Sequence, residues 1–202
     1  MSQQGVAPAT GRLGILSVGL GAVSSTFITG LLMTRKGLTK PVGSITQYAK
    51  IRVGKGDDAQ YKHVSDIVSL ASLDDVVLGA WDILPANAFE SALHAEVLRD
   101  RDIYPVKEEL EKIVPMKGVY DPNYVKALDG TWTKDPSLTR WELMEAVRKD
   151  IRDFKAEHGC DRIVVVWSAS TEIYLPREAS VHDSLEAFEA AMKADDRDHI
   201  SP

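Results

Sequence analysis

Leu13-Gly14-Ile15-Leu16-Ser17-Val18-Gly19-Leu20-Gly21-Ala22-Val23-Ser24-Ser25-Thr26 is the stretch on which the fold turns. Its first six residues form a short apolar run, the pattern of a buried strand. Gly19-Leu20-Gly21 interrupts the run with a tight turn. From Ala22 the spacing becomes helical: Phe27 and Leu31 mark a face, Ile28 and Leu32 lie beside it, and Gly37 stands where a C-terminal cap belongs. Strand, glycine turn and helix in this order resemble the Gly-x-Gly-x-x-Gly dinucleotide fingerprint, with Ser24 in place of the third glycine. Gly19 suits the tight turn, and Gly21 lets backbone approach a pyrophosphate. The helix start at Ala22 and Val23 offers free N–H groups and a positive dipole end, and Ser24, Ser25 and Thr26 add hydroxyls. The competing reading is a tight turn packed closely against a neighbour.

Outward from this unit, strands and helices alternate. Gly43-Ser44-Ile45-Thr46-Gln47 leads into Tyr48 to Val53, which reads as a second strand, and Gly54 to Gln60 reads as an exposed loop. Asp75 to Ala80 reads as a buried strand by its Val-Val-Leu content. Pro85 is placed for the first turn of a helix through Phe89, Leu93 and Val97, and Pro105 opens another carrying Val106, Leu110, Ile113 and Val114. Tyr120 to Pro136 is loop-like. Thr139 and Glu142 then form a capping box before Leu143, Val147, Ile151 and Phe154, and Gly159 ends that helix. Arg162 to Trp167 reads as a strongly buried strand, and a last helix carries Leu185, Phe188 and Met192. The expected fold class is α/β: a doubly wound, Rossmann-like parallel sheet with helices on both faces, incomplete at its closing edge. Residues 1–11 read as a flexible leader and 12–202 as the folded domain. An unpaired edge would make the chain associate when expressed alone.

In such sheets ligands sit beyond the carboxyl ends of the strands. Three segments lie there: residues 19–26, 79–83 and 168–172. The fingerprint calls for an acidic residue about twenty positions beyond the glycines to take the ribose hydroxyls. Gly43 to Gln47 is uncharged, so Asp82 is the substitute, with an N-cap or turn role as its rival. A carboxylate there would repel a 2′-phosphate and favour NAD over NADP. Ser168, Ala169, Ser170 and Thr171 are small or hydroxylated residues that permit close approach of a ligand, with an ordinary strand-to-helix loop as the rival reading.

Composition narrows the alternatives. A net charge of −6 excludes a strongly basic nucleic-acid footprint. The cluster Asp195-Asp196-Arg197-Asp198 reads as a solvated end. One cysteine, Cys160, rules out an internal disulfide, suits a reducing cytoplasm and reads as a small core residue. His63, His94, His158, His182 and His199 lack ligand spacing, so no metal is expected. Trp132 and Trp141 read as packing residues. Leu13 to Thr34 carries no charge and is long enough to cross a membrane, but its hydroxyls and glycines fit strand, turn and helix better.

Five segments in register carry a family resemblance: Gly19 to Thr26, Gly43 to Gln47, Gly79-Ala80-Trp81-Asp82-Ile83, Arg148-Lys149-Asp150-Ile151-Arg152-Asp153-Phe154-Lys155, and Val165 to Glu172. Together they are similar to the inositol-3-phosphate synthase family, of the bacterial type. Ala22-Val23-Ser24 stands where the eukaryotic branch has Asn-Asn-Gly. The resemblance implies a cytoplasmic NAD-dependent isomerase of phospholipid biosynthesis, a homotetramer, converting glucose 6-phosphate to an inositol monophosphate. It implies a pyrophosphate loop at Gly19, Gly21, Ala22 and Val23, a ribose-binding aspartate at Asp82, and a cleft lining at Ser168 to Thr171. Family members run to roughly twice this length, as expected of two domains. The catalytic lysines and tetramer-forming sheet belong to the part absent here, and Lys36, Lys40, Lys50 and Lys55 do not match them. Binding without turnover, by a non-catalytic NAD-binding module, is the alternative.

Overall fold

The computed structural model describes residues 10–201, so most of the expected leader lies outside the described residues. The chain runs β1 (Arg12–Val18), α1 (Ala22–Arg35), α2 (Ile45–Tyr48), β2 (Lys50–Val53), β3 (Gln60–His63), β4 (Val76–Asp82) and α3 (Ala88–Ala95). It continues through α4 (Asp100–Ile103), α5 (Lys107–Glu111), β5 (Met116–Lys117), α6 (Arg140–Glu157), β6 (Cys160–Trp167), α7 (Ala179–His182) and α8 (Leu185–Lys193). Four strands form a parallel sheet in the order β5-β4-β1-β6. Residues 13–34 are a strand, a turn and a helix, as the glycine spacing requires, and no described helix is long and apolar enough to cross a membrane.

Alternation along each strand sends side chains to two apolar layers. Leu78 and Ala80 of β4 meet Ile28 and Leu32 of α1 and Phe89 and Ala92 of α3, and Ile103, Val106 and Leu110 extend that layer. On the opposite face Leu16, Trp81 and Cys160 pack with Phe154 of α6, flanked by Val147 and Ile151. Two glycines let α6 come this close. A Cβ on Gly79 would stand 2.6 Å from Phe154 Cε2, and one on Gly14 would stand 2.3 Å from Ile163 Cδ1 and 3.2 Å from Phe154 Cε1.

Several local expectations give way to stronger local forces. Residues 50–53 join no central sheet: β2 pairs antiparallel with β3 alone, and its residues are exposed, as are most of β3's. Lys50, Arg52 and Lys62 alternate through the hairpin, so neither face is apolar enough to bury. α3 starts at Ala88, not at Pro85, because Asn87 accepts from the amides of Phe89 and Glu90 while Glu90 accepts from the amide of Asn87. It stops before Val97 at Glu96, which adopts a left-handed φ of 53°. The helix expected from Pro105 is a 3-10 turn followed by the short α5, and exposed Val114 is held out of helix by Pro115. α1 buries Ser24, Ser25, Ile28, Thr29 and Leu32, while Phe27 faces outward. α8 buries no residue fully, and Leu185 is exposed. The Thr139–Glu142 capping box and the stop at Gly159, with its φ of 60°, stand where the sequence puts them. So does Gly37, whose φ is 68°.

Two larger corrections concern β6 and the C-terminal segment. The strand read as strongly buried is half-exposed over Val164, Val165 and Val166, because it is an edge of the sheet. The acidic segment read as a solvated end is pinned to the domain. Arg140, 3% exposed, donates through Nε to the carbonyl of Ile200 and through Nη2 to Asp121, and its backbone amide donates to Asp195. The Tyr124 hydroxyl donates to the carbonyl of Arg197, and Ile200 is buried. Burial is the largest single influence on Asp121 and opposes its ionisation. The Asn123 amide and Arg140 outweigh it and hold the carboxyl below the usual range.

Replacing Arg140 with Met should leave Asp121 buried without its cation and lower unfolding stability by about 3 kcal/mol in urea titrations. His199 supplies a pH test. Its hydrogen bond to Asp196 raises the imidazole pKa above its ordinary value and lowers that of the carboxyl. The stabilisation is therefore complete below the unfolded histidine pKa and is lost as pH rises through the folded one. At the acid end it is lost as pH falls through the lowered Asp196 value. Ile200 donates its amide to the carbonyl of Asp196, so the protection of that amide relative to its intrinsic exchange rate at each pH should fall through the histidine titration. The dependence should vanish in His199→Gln.

Candidate functional site

The carboxyl ends of β4, β1 and β6 finish level, with Val18 opposite Trp81 on one side and Trp167 on the other. The chain winds from β1 to β4 to β5 in one direction and returns to place β6 on the far side of β1. The crevice beyond β1 and β6 is thus the point where strand order reverses, the place where open parallel sheets bind ligands. Gly19 to Gly21, Asp82 and Ser168 to Thr171 leave the three strands around it.

Contacts across the crevice fix the turn. The Gly19 amide donates to the carbonyl of Trp81 and the Ser168 amide to that of Val18, each at 2.9 Å. Gly19 has a φ of 90°, and a Cβ there would stand 2.9 Å from the carbonyl oxygen of Ser168 and 3.0 Å from Cα of Ala169. Asp82 completes the brace: its Oδ2 accepts from the Leu20 amide at 2.6 Å and its Oδ1 from the Leu84 amide at 2.9 Å. Each oxygen keeps a further lone pair. The turn role and the ribose role proposed for Asp82 are therefore compatible.

Beyond the brace the surface is open. A Cβ on Gly21 would meet nothing within 4 Å, and Val23 is 68% exposed. Among the described residues nothing accepts from the amides of Gly21, Ala22, Val23 or Ser24, and α1 has no side-chain cap. Four donors at a positive helix end are what an anionic group needs. The hydroxyls of Ser24 and Ser25 are turned inward: both residues are buried and donate to the carbonyls of Gly19 and Ala22. Ser168 and Ala169 are half-buried beside Gly19, while Ser170 and Thr171 are exposed. At Glu172 burial, with nothing opposing it, pushes the carboxyl above its usual range.

Sequence reasoning missed the floor beside Asp82. The Gly118 amide donates to the carbonyl of Asp82, and those of Thr131 and Trp132 donate to that of Ile83. Behind them Asp150 of α6 accepts from the Trp81 indole at 2.8 Å and from Lys134 Nζ at 2.6 Å, both on Oδ2. Only the glycine at 118 was a usable signal, since a Cβ there would stand 3.0 Å from the Asp82 carbonyl oxygen. A hollow of about 200 Å³ lies away from the turn, against Asp121, Lys134, Arg140 and Arg197. Its three cations are all paired with carboxylates.

Sheet order, glycine turn and acidic residue at the end of the strand beside β1 define a Rossmann-type dinucleotide-binding domain. Residues 13–202 match the NAD-binding family model described as myo-inositol-1-phosphate synthase, and the chain belongs to that family. It is 51% identical to inositol-3-phosphate synthase 1 of Bacteroides thetaiotaomicron over 201 residues, covering 99% of this chain and 46% of that protein. It is 32% identical to inositol-3-phosphate synthase 1 of Oryza sativa over 199 residues, covering 92% of this chain and 39% of that one. The crystal structure of inositol-3-phosphate synthase from Caenorhabditis elegans superposes with a TM-score of 0.84 at 25% identity, covering 95% of this chain and 40% of that chain. A myo-inositol-1-phosphate synthase-related protein from Thermotoga maritima shares the fold with a TM-score of 0.57 at 19% identity. This chain spans less than half the length of these proteins.

Gly19→Ala should be costly, since it meets both a left-handed φ and a backbone oxygen. A loss of about 2 kcal/mol or more is expected in thermal or urea unfolding. Gly21→Ala, with open space around it, should change stability by under about 1 kcal/mol.

Proposed function

We propose that this chain is the NAD-binding part of an inositol-3-phosphate synthase acting on glucose 6-phosphate. The observation that carries the reading is the Gly19–Gly21 turn, held by Asp82 with four neighbouring amides left free. Gly21 admits the pyrophosphate, the amides of Gly21 to Ser24 take its oxygens, and the remaining lone pairs of Asp82 take the ribose hydroxyls. Ser168, Ala169, Ser170 and Thr171 line the other wall. Bound NAD would accept a hydride from the sugar and return it later in the same turnover. The residues that handle the sugar lie in the part of the family's polypeptide that this chain does not match. On this reading the complete enzyme is a cytoplasmic homotetramer of phospholipid biosynthesis, and the present chain binds without turning over.

Calorimetric titration with NAD tests the site. Gly21→Val should abolish binding while leaving the unfolding transition in place, because the added side chain projects into the crevice and its Cβ has no protein atom within 4 Å. Asp82→Asn should weaken NAD binding by about tenfold, or 1.4 kcal/mol, and narrow the preference for NAD over NADP. Unchanged binding in both variants removes the assignment. Inositol phosphate formed from glucose 6-phosphate and NAD by the chain alone would overturn the division of labour.

A further inference from the structure

Residues 168–172, beyond the end of β6, belong to no helix or strand. At one end the Ser168 amide donates to the carbonyl of Val18 at 2.9 Å. There the chain passes so close to Gly19 that a Cβ would not fit between them. At the other end the Ile173 amide donates to the carbonyl of Tyr124 at 3.0 Å. Among the described residues, Ala169, Ser170, Thr171 and Glu172 make no hydrogen bond between these two footings. Ser170 and Thr171 are exposed, so packing does not fix them either. A stretch with so few bonds keeps its course only while both ends hold. The second footing is the more elaborate. Tyr124 is 5% exposed, and its ring centroid lies 5.5 Å from the guanidinium carbon of Arg140. Its amide donates to the carbonyl of Asp121 at 3.0 Å, and its hydroxyl donates to the carbonyl of Arg197. Asp121 and Arg140 are themselves buried and paired. All of this fixes one carbonyl, whose partner is the Ile173 amide.

We propose that Tyr124 is a positioning residue for the cofactor: by holding Ile173 it sets the course of residues 169–172, and so shapes the half of the crevice that receives the nicotinamide riboside. The proposal rests on the NAD reading above. Asp82, which takes a ribose on that reading, ends β4 on one side of β1. A dinucleotide with its pyrophosphate at the Gly21 turn therefore carries its other half across β1, to the side of β6. Residues 168–172 leave the sheet there. Tyr124 touches none of the crevice's free amides and acts only through the segment it holds.

Calorimetry with NAD and with ADP, which ends at the pyrophosphate, reads the two halves separately. Ile173→Pro removes the amide donor and should weaken NAD binding roughly fivefold or more, with ADP binding unchanged. Replacing Ile173 by its α-hydroxy acid puts an ester oxygen in place of the N–H without the proline ring, and should give the same split. Tyr124→Phe keeps the ring, loses the hydroxyl bond, and should reproduce the split more weakly, at about twofold. Tyr174→Pro is the control. Tyr174 is 85% exposed and its amide has no partner among the described residues, so both affinities should stay as they are. Equal weakening of NAD and ADP would mean a general loosening of the fold and would overturn the proposal. So would unchanged NAD binding in both the proline and the ester chains, or a failure of both to fold. A parent chain that binds neither nucleotide overturns the cofactor reading and this role together. A parent that binds both, with the Ile173 chains indifferent, overturns this role alone.

Discussion

A single charge-assisted hydrogen bond, from the Leu20 amide to the Asp82 carboxylate, ties together residues 62 positions apart. It joins the turn after β1 to the end of β4, and the geometry of the crevice follows from it. The turn is held from three directions: by Asp82 at the side, by the carbonyl of Trp81 below, and by the backbone of Ser168 and Ala169 across from Gly19. Asp82 is fixed in turn by Gly118 on one side, while its neighbour Trp81 is anchored to Asp150 and so to α6. What remains free is a small set of amides at the start of α1. A preorganised anion site needs that arrangement, with every donor placed before the ligand arrives.

The parts legible in the sequence were those with local causes. The apolar runs of β1 and β4, the Thr139–Glu142 capping box and the glycine at 37 act within one turn of helix or one strand. The parts that were not legible depend on distant partners. Composition alone cannot tell an internal strand from an edge strand, so the Val-rich β6 read as buried. Asp150 gains its role from Trp81 and Lys134, which share no short spacing with it. The C-terminal acidic cluster read as solvated because its anchor, Arg140, looks in sequence like any surface arginine at the start of an amphipathic helix.

Asp82 shows the difference between distance along the chain and distance in the fold. A spacing rule placed the ribose carboxylate about twenty residues past the glycines, where this chain has no acid. The rule refers to the strand beside β1, and here that strand is β4, reached only after α2 and the β2–β3 hairpin. Counted by strands, Asp82 stands at the end of the strand beside β1.

That hairpin, with every residue of β2 exposed and a network of backbone bonds confined to itself, is nearly independent of the sheet it interrupts. Loop closure grows only slowly more costly with length, by about 0.6 kcal/mol for each doubling. The span between α1 and β4 is therefore a natural port for engineering. A reporter domain or an affinity handle could be spliced into the Gly54–Gly56 tip, far from the crevice in connectivity. It would ride on the molecule without entering the arithmetic of its core.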